Sequence, residues 1–234
     1  MFVVVCKRII HLNNILYLPT MTSLLSYLYP ITKTIKSEYS GTLEITWYNG
    51  KKHLNTKNAN YSYGSLQRIL KFGLDKIALN KVNSVLLLGL GGGSVIETLR
   101  KDFNYAKVIT AIDIDPQIIE VAKNEFNLVE DQTLKIICLD ALRFVQSNTE
   151  TFDLIIIDLF IDVTVPDAFL KLNFWSDVLK ASSSNGTVLF NASLEKTKSQ
   201  ALNDVIDFLK AHFYTVDIFE KVNGTNTVII GSGL

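Results

Sequence analysis

An α/β protein whose main sheet is parallel and closes on an antiparallel hairpin is predicted by three features of the sequence. Short apolar runs without polar alternation recur from residue 84 onward, each followed by a stretch with helical spacing. The first of these runs leads straight into Gly89-Leu90-Gly91-Gly92-Gly93. The last two β-branched runs flank Val222-Asn223-Gly224, a turn sequence.

The strand candidates are Ser84–Gly89, Lys107–Ile112, Leu134–Leu139, Asp153–Asp158 and Gly186–Asn191. Helices are expected to begin near Ser94, Pro116, Ala141 and Ala168, with another near Lys196–His212. Such strands are buried on both faces, so helices must cover the sheet on both sides. Phe213–Glu220 and Thr225–Ile230 read as the closing hairpin. Five parallel strands ending in a hairpin fit a Rossmann-like methyltransferase sheet better than a dinucleotide-binding one. Ahead of this sheet, Thr42–Tyr48 and the following KKHLNT flank Asn49-Gly50, which supplies the two positive-φ residues of a type I′ hairpin turn. Ser62–Ile77 then places Leu66, Ile69, Leu70 and Leu74 on one helical face. The expected organisation is an N-terminal extension over 1–20, a small hairpin-and-helix module over 21–77, and the sheet domain over 78–234.

A chain of 234 residues, 48% hydrophobic and 20% charged, suffices for one full α/β domain and a small extra element. Lys+Arg and Asp+Glu both number 23, so no long-range field gathers nucleic acid or anionic lipid, and neither is expected as a partner. Residues 1–20 are apolar, but Lys7, Arg8, His11, Asn13 and Asn14 interrupt them short of a membrane span. Met21 offers a second start, and the expected location is the cytoplasm. Cys138 lies inside an apolar run and reads as a buried core thiol; Cys6 and Cys138 form no metal or disulfide pattern. His53 and His212 stand alone and read as surface or packing residues.

The chemistry concentrates at the predicted strand ends. Gly89, Gly91, Gly92 and Gly93 allow a tight turn and close approach of backbone to a ligand, and the helix behind them favours a negative group. The spacing is GxGxG with Ser94 next, which departs from the dinucleotide fingerprint. Asp113, twenty residues after Gly93, stands where an acid can accept from both hydroxyls of a ribose; Ile114 follows it. Asp115 before Pro116 reads as a helix N-cap. Asp140, with Ala141 after it, reads as an N-cap, as a carboxylate facing an adenine amino group, or as both. Asp158 ends the fourth strand, and Asp162 follows in its loop; a carboxylate there can orient an amine or accept its proton. A turn carboxylate without a ligand is the plain alternative for Asp113 and Asp158.

Together these residues resemble the spermidine synthase family, aminopropyltransferases built on the class I methyltransferase fold. The resemblance spans Tyr39 to Phe190. It implies that the glycine loop, Asp113 and Asp140 hold an adenosyl nucleoside, and that Asp158 onward corresponds to the DxxD catalytic loop. The chain departs from the family in three places. Ser94 stands where the family has an Asp for the amine of decarboxylated S-adenosylmethionine. Asp158 and Asp162 are one residue further apart than in DxxD, and the amine-binding stretch, Asn58–Leu66, contains no Asp or Glu. A polyamine there would lose charged hydrogen bonds worth about 1.5–3 kcal/mol each.

The expected activity is therefore S-adenosylmethionine-dependent transfer, with a methyl group passed to a small-molecule acceptor and with Asp158, Tyr63 and Asp162 facing that acceptor. Aminopropyl transfer from decarboxylated S-adenosylmethionine is the same-fold alternative, and a non-catalytic nucleoside-binding protein is the alternative of another class. An NAD-dependent oxidoreductase fits least. The resemblance further implies a homodimer.

Overall fold

The structure is a computed structural model and describes residues 21–56, 60–62, 64–161, 164–193 and 199–234. A short helix, α1 (Met21–Leu25), leads into β1 (Ile31–Ser37), β2 (Gly41–Tyr48), β3 (Lys51–Thr56) and β4 (Asn60–Ser62). These form a four-stranded antiparallel sheet in the order β1-β2-β3-β4. The β2–β3 turn is the one the sequence predicts: Asn49 and Gly50 take φ of 48° and 74°. One face of this sheet packs Leu43, Ile45 and Leu54 against Ile118 and Val121 of a helix of the larger layer.

Helix α2 (Ser65–Leu74) follows, and its buried Ile69, Leu70 and Leu74 join the core beneath the large sheet. That sheet is built from β5 (Ser84–Leu88), β6 (Val108–Asp113), β7 (Leu134–Cys138), β8 (Phe152–Ile157), β9 (Ser182–Ser193), β10 (Thr215–Val222) and β11 (Asn226–Ser232). Between them run α3 (Ser94–Lys101), α4 (Pro116–Phe126), α5 (Ala141–Ser147), α6 (Leu172–Lys180) and α7 (Gln200–His212). Residues 196–198, the start expected for α7, lie outside the described residues. The helix expected from Ala168 is a 3₁₀ turn, Asp167–Leu170, and then α6.

Strand order is β10-β11-β9-β8-β5-β6-β7, parallel from β9 to β7, with β11 and β10 antiparallel. This is the Rossmann-like sheet with a closing hairpin that the sequence predicts. Leu86 and Leu88 of β5 face one core with Trp175, Phe190 and Val205, while Val85 and Leu87 face the other with Leu70 and Leu99. The two cores explain why β5 carries no polar alternation.

One expectation fails here. Cys138 is exposed, not buried. It closes β7, the edge strand, which has a neighbour on one side only. Its thiol points toward the Ile114 carbonyl oxygen at 3.8 Å. His212 is exposed at the end of α7, and His53 is half-buried on β3. Burial and then the Lys51 charge lower the His53 pKa.

Candidate functional site

In open parallel sheets the ligand crevice opens where the strand order reverses, at the carboxyl ends of the strands. Here β5 sits at that point, with β6 and β7 on one side and β8 and β9 on the other. Leu88 is in register with both Ile112 and Ile157, so the residues after them emerge side by side. The Asp158 N–H donates to the Leu88 carbonyl, the Gly89 N–H to that of Ile112, and the Leu139 N–H to that of Asp113, all at 2.9–3.0 Å. Neighbouring strands lie about 4.8 Å apart, which puts Asp158 and Asp113 roughly 10 Å from each other across the glycine loop. The sequence elements thus converge on one edge.

Gly89 shows why the loop needs glycine. Its φ is +96°, and a Cβ there would stand 2.1 Å from the Asp158 carbonyl oxygen. The loop therefore lies directly against the backbone that carries Asp158. Gly93, at φ 84°, is the N-cap of α3, and Ser94 is the first helical residue, 2% exposed.

Asp113 closes β6. Its Oδ2 accepts from the Leu90 and Gly91 N–H groups at 3.1 and 3.2 Å, and its Oδ1 accepts from the Asp115 N–H at 3.0 Å. The carboxylate is a brace for the glycine loop. Burial pushes its pKa up to about 6, against these three backbone donors, which pull it down. Beside it, Asp115 caps α4 by accepting from the Gln117 N–H at 2.9 Å, and Pro116 begins the helix as expected. The other Asp115 oxygen accepts from the Ser37 and Ser40 hydroxyls at 2.5 and 2.7 Å, latching the β1–β2 turn of the small sheet to the edge of the site. A cavity here is lined by Lys36, Glu38, Tyr39 and Gln117.

Asp140 caps α5 by accepting from the Leu142 N–H at 2.8 Å. The N-cap reading therefore holds. Ala141 after it is buried, while Ile114, which follows Asp113, is 42% exposed.

Among the described residues Asp158 accepts one side-chain hydrogen bond, from Asn191 Nδ2 at 2.9 Å. Burial raises its pKa to about 6, and the Asn191 bond opposes the rise. Asn191 carries no motif in the sequence; a polar residue at the end of an apolar run is its one signal. Tyr63 and Asp162, the other expected acceptor-facing residues, lie outside the described residues. Among the described residues no group of three or more His, Cys, Asp or Glu is placed to hold a metal, and no helix is long and apolar enough to cross a membrane.

Residues 69–222 match the family described as Spermine/spermidine synthase domain. The chain belongs to this family. The matched region takes in the glycine loop, Asp113, Asp140, Asp158 and Asn191. Among curated relatives, the polyamine aminopropyltransferase of Thermoplasma volcanium is 25% identical over 168 residues, 70% of this chain and 60% of that protein. The eEF1A lysine and N-terminal methyltransferase of Xenopus laevis is 30% identical over 152 residues, 60% of this chain and 22% of that protein. The chain thus spans less than two thirds of the length of either relative. The crystal structure of human methyltransferase-like protein 13 in complex with SAH superimposes with a TM-score of 0.59 at 22% identity, covering 73% of this chain and 82% of that one. The family's sheet is shared with methyltransferases.

The raised pKa of Asp158 has a consequence for stability. An acid whose folded pKa exceeds its unfolded value binds more protons when folded, so its ionisation weakens the fold as pH rises between the two values. For Asp158 that window runs from 3.8 to about 6. Asp158→Asn keeps a carbonyl acceptor for Asn191 and removes the charge. It should stabilise the chain at pH 7 by on the order of 1–3 kcal/mol, with little gain at pH 4. Urea unfolding at both pH values measures this; a destabilised variant at pH 7 would refute the desolvation argument.

Proposed function

We propose that this chain binds S-adenosylmethionine at the carboxyl edge of the large sheet and transfers its methyl group to a small-molecule acceptor. The observation that carries the proposal is the convergence, around one strand-order reversal, of a glycine loop, a loop-bracing acid and a second acid on the opposite flank. The cradle fits such a nucleoside. At Gly89 the backbone approaches so closely that no Cβ is tolerated. Asp113 and Asp140 would hold the ribose and adenine ends, with exposed Ile114 as an apolar face between them. When bound, the donor supplies an electrophilic carbon on a positively charged sulfur.

Asp158 would face the acceptor. With a pKa of about 6 it is ionised at pH 7 and can orient a protic nucleophile or take its proton. The acceptor's lone pair forms the new bond to carbon, the carbon–sulfur bond breaks, and its electron pair stays on sulfur as a neutral thioether. Methyl transfer is favoured by Ser94. A carboxylate at that position would attract the amine of the decarboxylated donor and repel the carboxylate of S-adenosylmethionine, whereas a hydroxyl tolerates the latter.

Aminopropyl transfer is the second reading, and membership of the family supports it. The deciding experiment has two arms. Calorimetry with each donor should show tighter binding of S-adenosylmethionine than of its decarboxylated form. Mass spectrometry should show no spermidine from putrescine and the decarboxylated donor. Turnover near 1 s⁻¹, inside the usual enzyme range, would reverse the preference; no heat with either donor would defeat both readings.

A further inference from the structure

Three strand ends meet behind Asp158, and their polar side chains form one line. Asn191 Nδ2 donates to Asp158 Oδ1 at 2.9 Å. Asn226 Nδ2 donates to Asn191 Oδ1 at 2.8 Å. The Thr225 hydroxyl donates to Asn226 Oδ1 at 2.7 Å. The two amides are 0% and 1% exposed, while Thr225 lies at the surface. A carboxylate can only accept, so the amide nitrogen of Asn191 must face it. That choice leaves the Asn191 oxygen pointing at Asn226, which must then donate in turn. Every link therefore points its donor toward Asp158: flipping Asn191 would break two bonds, and flipping Asn226 would set its oxygen against that of Asn191.

Two buried amides at this junction of β8, β9 and β11 are not what packing alone selects, because apolar residues would fill the space without needing partners. A fully satisfied polar chain instead fixes a unique geometry. We infer that Asn191 and Asn226 are positioning residues for Asp158: they hold its Oδ1 and leave Oδ2, which accepts no hydrogen bond among the described residues, turned to the acceptor. This deepens the proposed function and rests on its placing Asp158 beside the acceptor. No ion pair reaches Asp158 among the described residues, so the Asn191 amide is the polar group that supports its charge. Burial raises the Asp158 pKa, and that same bond opposes the rise in part.

The test needs no ligand and uses the full chain. Carbon-13 NMR follows the Asp158 carboxyl, assigned by its loss in Asp158→Asn, while nitrogen-15 NMR follows the side-chain amide of Asn191. In the unmodified protein the Asn191 amide should titrate with the same midpoint as the Asp158 carboxyl. Asn191→Leu should raise that carboxyl midpoint by about 1–2 pH units, the size of a charged hydrogen bond lost. Asn226→Leu, which does not touch Asp158, should raise it by less. An Asn191 amide indifferent to the Asp158 titration overturns the inference, as does an unchanged midpoint in a folded Asn191→Leu variant. If Asn191→Leu does not fold, the amide titration of the unmodified protein decides alone. Failure to bind either donor would defeat the proposed function and leave this readout intact.

Discussion

Gly89→Ala is expected to abolish nucleoside binding and to cost the fold about 2–5 kcal/mol. Two effects add. At φ +96° a side chain incurs about 1–2 kcal/mol of left-handed strain. The new methyl would also stand 2.1 Å from the carbonyl oxygen and 2.9 Å from the carbonyl carbon of Asp158. Both are backbone atoms at the meeting of β5 and β8, which cannot swing aside like the end of a flexible side chain. Overpacking of that kind costs about 1–3 kcal/mol. The strands would have to part at the point where the donor is proposed to sit. Gly224→Ala is the control: its φ is +84°, and a Cβ there meets nothing within 4 Å, so it isolates the conformational cost. Urea unfolding and calorimetry with S-adenosylmethionine measure the pair. A loss no larger at Gly89 than at Gly224, with donor affinity intact, would remove the close approach from the argument.

Asp113→Ala should weaken donor binding by at least the 1.5–3 kcal/mol of a hydrogen bond to a charged group, roughly 10- to 100-fold. The structure adds a second route to that loss. Three backbone N–H groups, those of Leu90, Gly91 and Asp115, lose their acceptor at once. The glycine loop should therefore loosen even in the absence of donor. Hydrogen exchange separates the two routes, because the Leu90 and Gly91 amides should exchange faster in the unliganded variant if Asp113 is a brace. Unchanged exchange would contradict bracing, and unchanged affinity would contradict the ribose assignment.

The sequence made the large sheet legible because its strands are buried on both faces and its turns carry glycine. Ser84–Gly89 and the turn at Asn223-Gly224 announce themselves by composition alone. What escaped was set by neighbours. Strand β1, ITKTIKS, is an edge strand whose threonines and lysines are exposed, so it lacks the apolar signal of a buried strand. Strand β4 has three residues. Cys138 looked buried because its run is apolar, yet an edge position leaves it exposed. At the site, Asp113, Asp140 and Asp158 were visible as acids placed after apolar runs. Asn191 and Asn226 were not, since they are 35 residues apart and only the strand order brings them together.

The Ser37 and Ser40 bonds to Asp115 join residues 78 and 75 positions apart. Closing so long a chain segment carries an entropy cost that local turns do not. The β1–β2 turn and the cap of α4 can each form from nearby residues, but their junction must wait for both. Asp115 in turn donates its N–H to Asp113, which grips the glycine loop. The mouth around the glycine loop is therefore expected to take its final shape late in folding, and a chain stalled before the small sheet docks would carry a formed parallel sheet with an unfinished mouth.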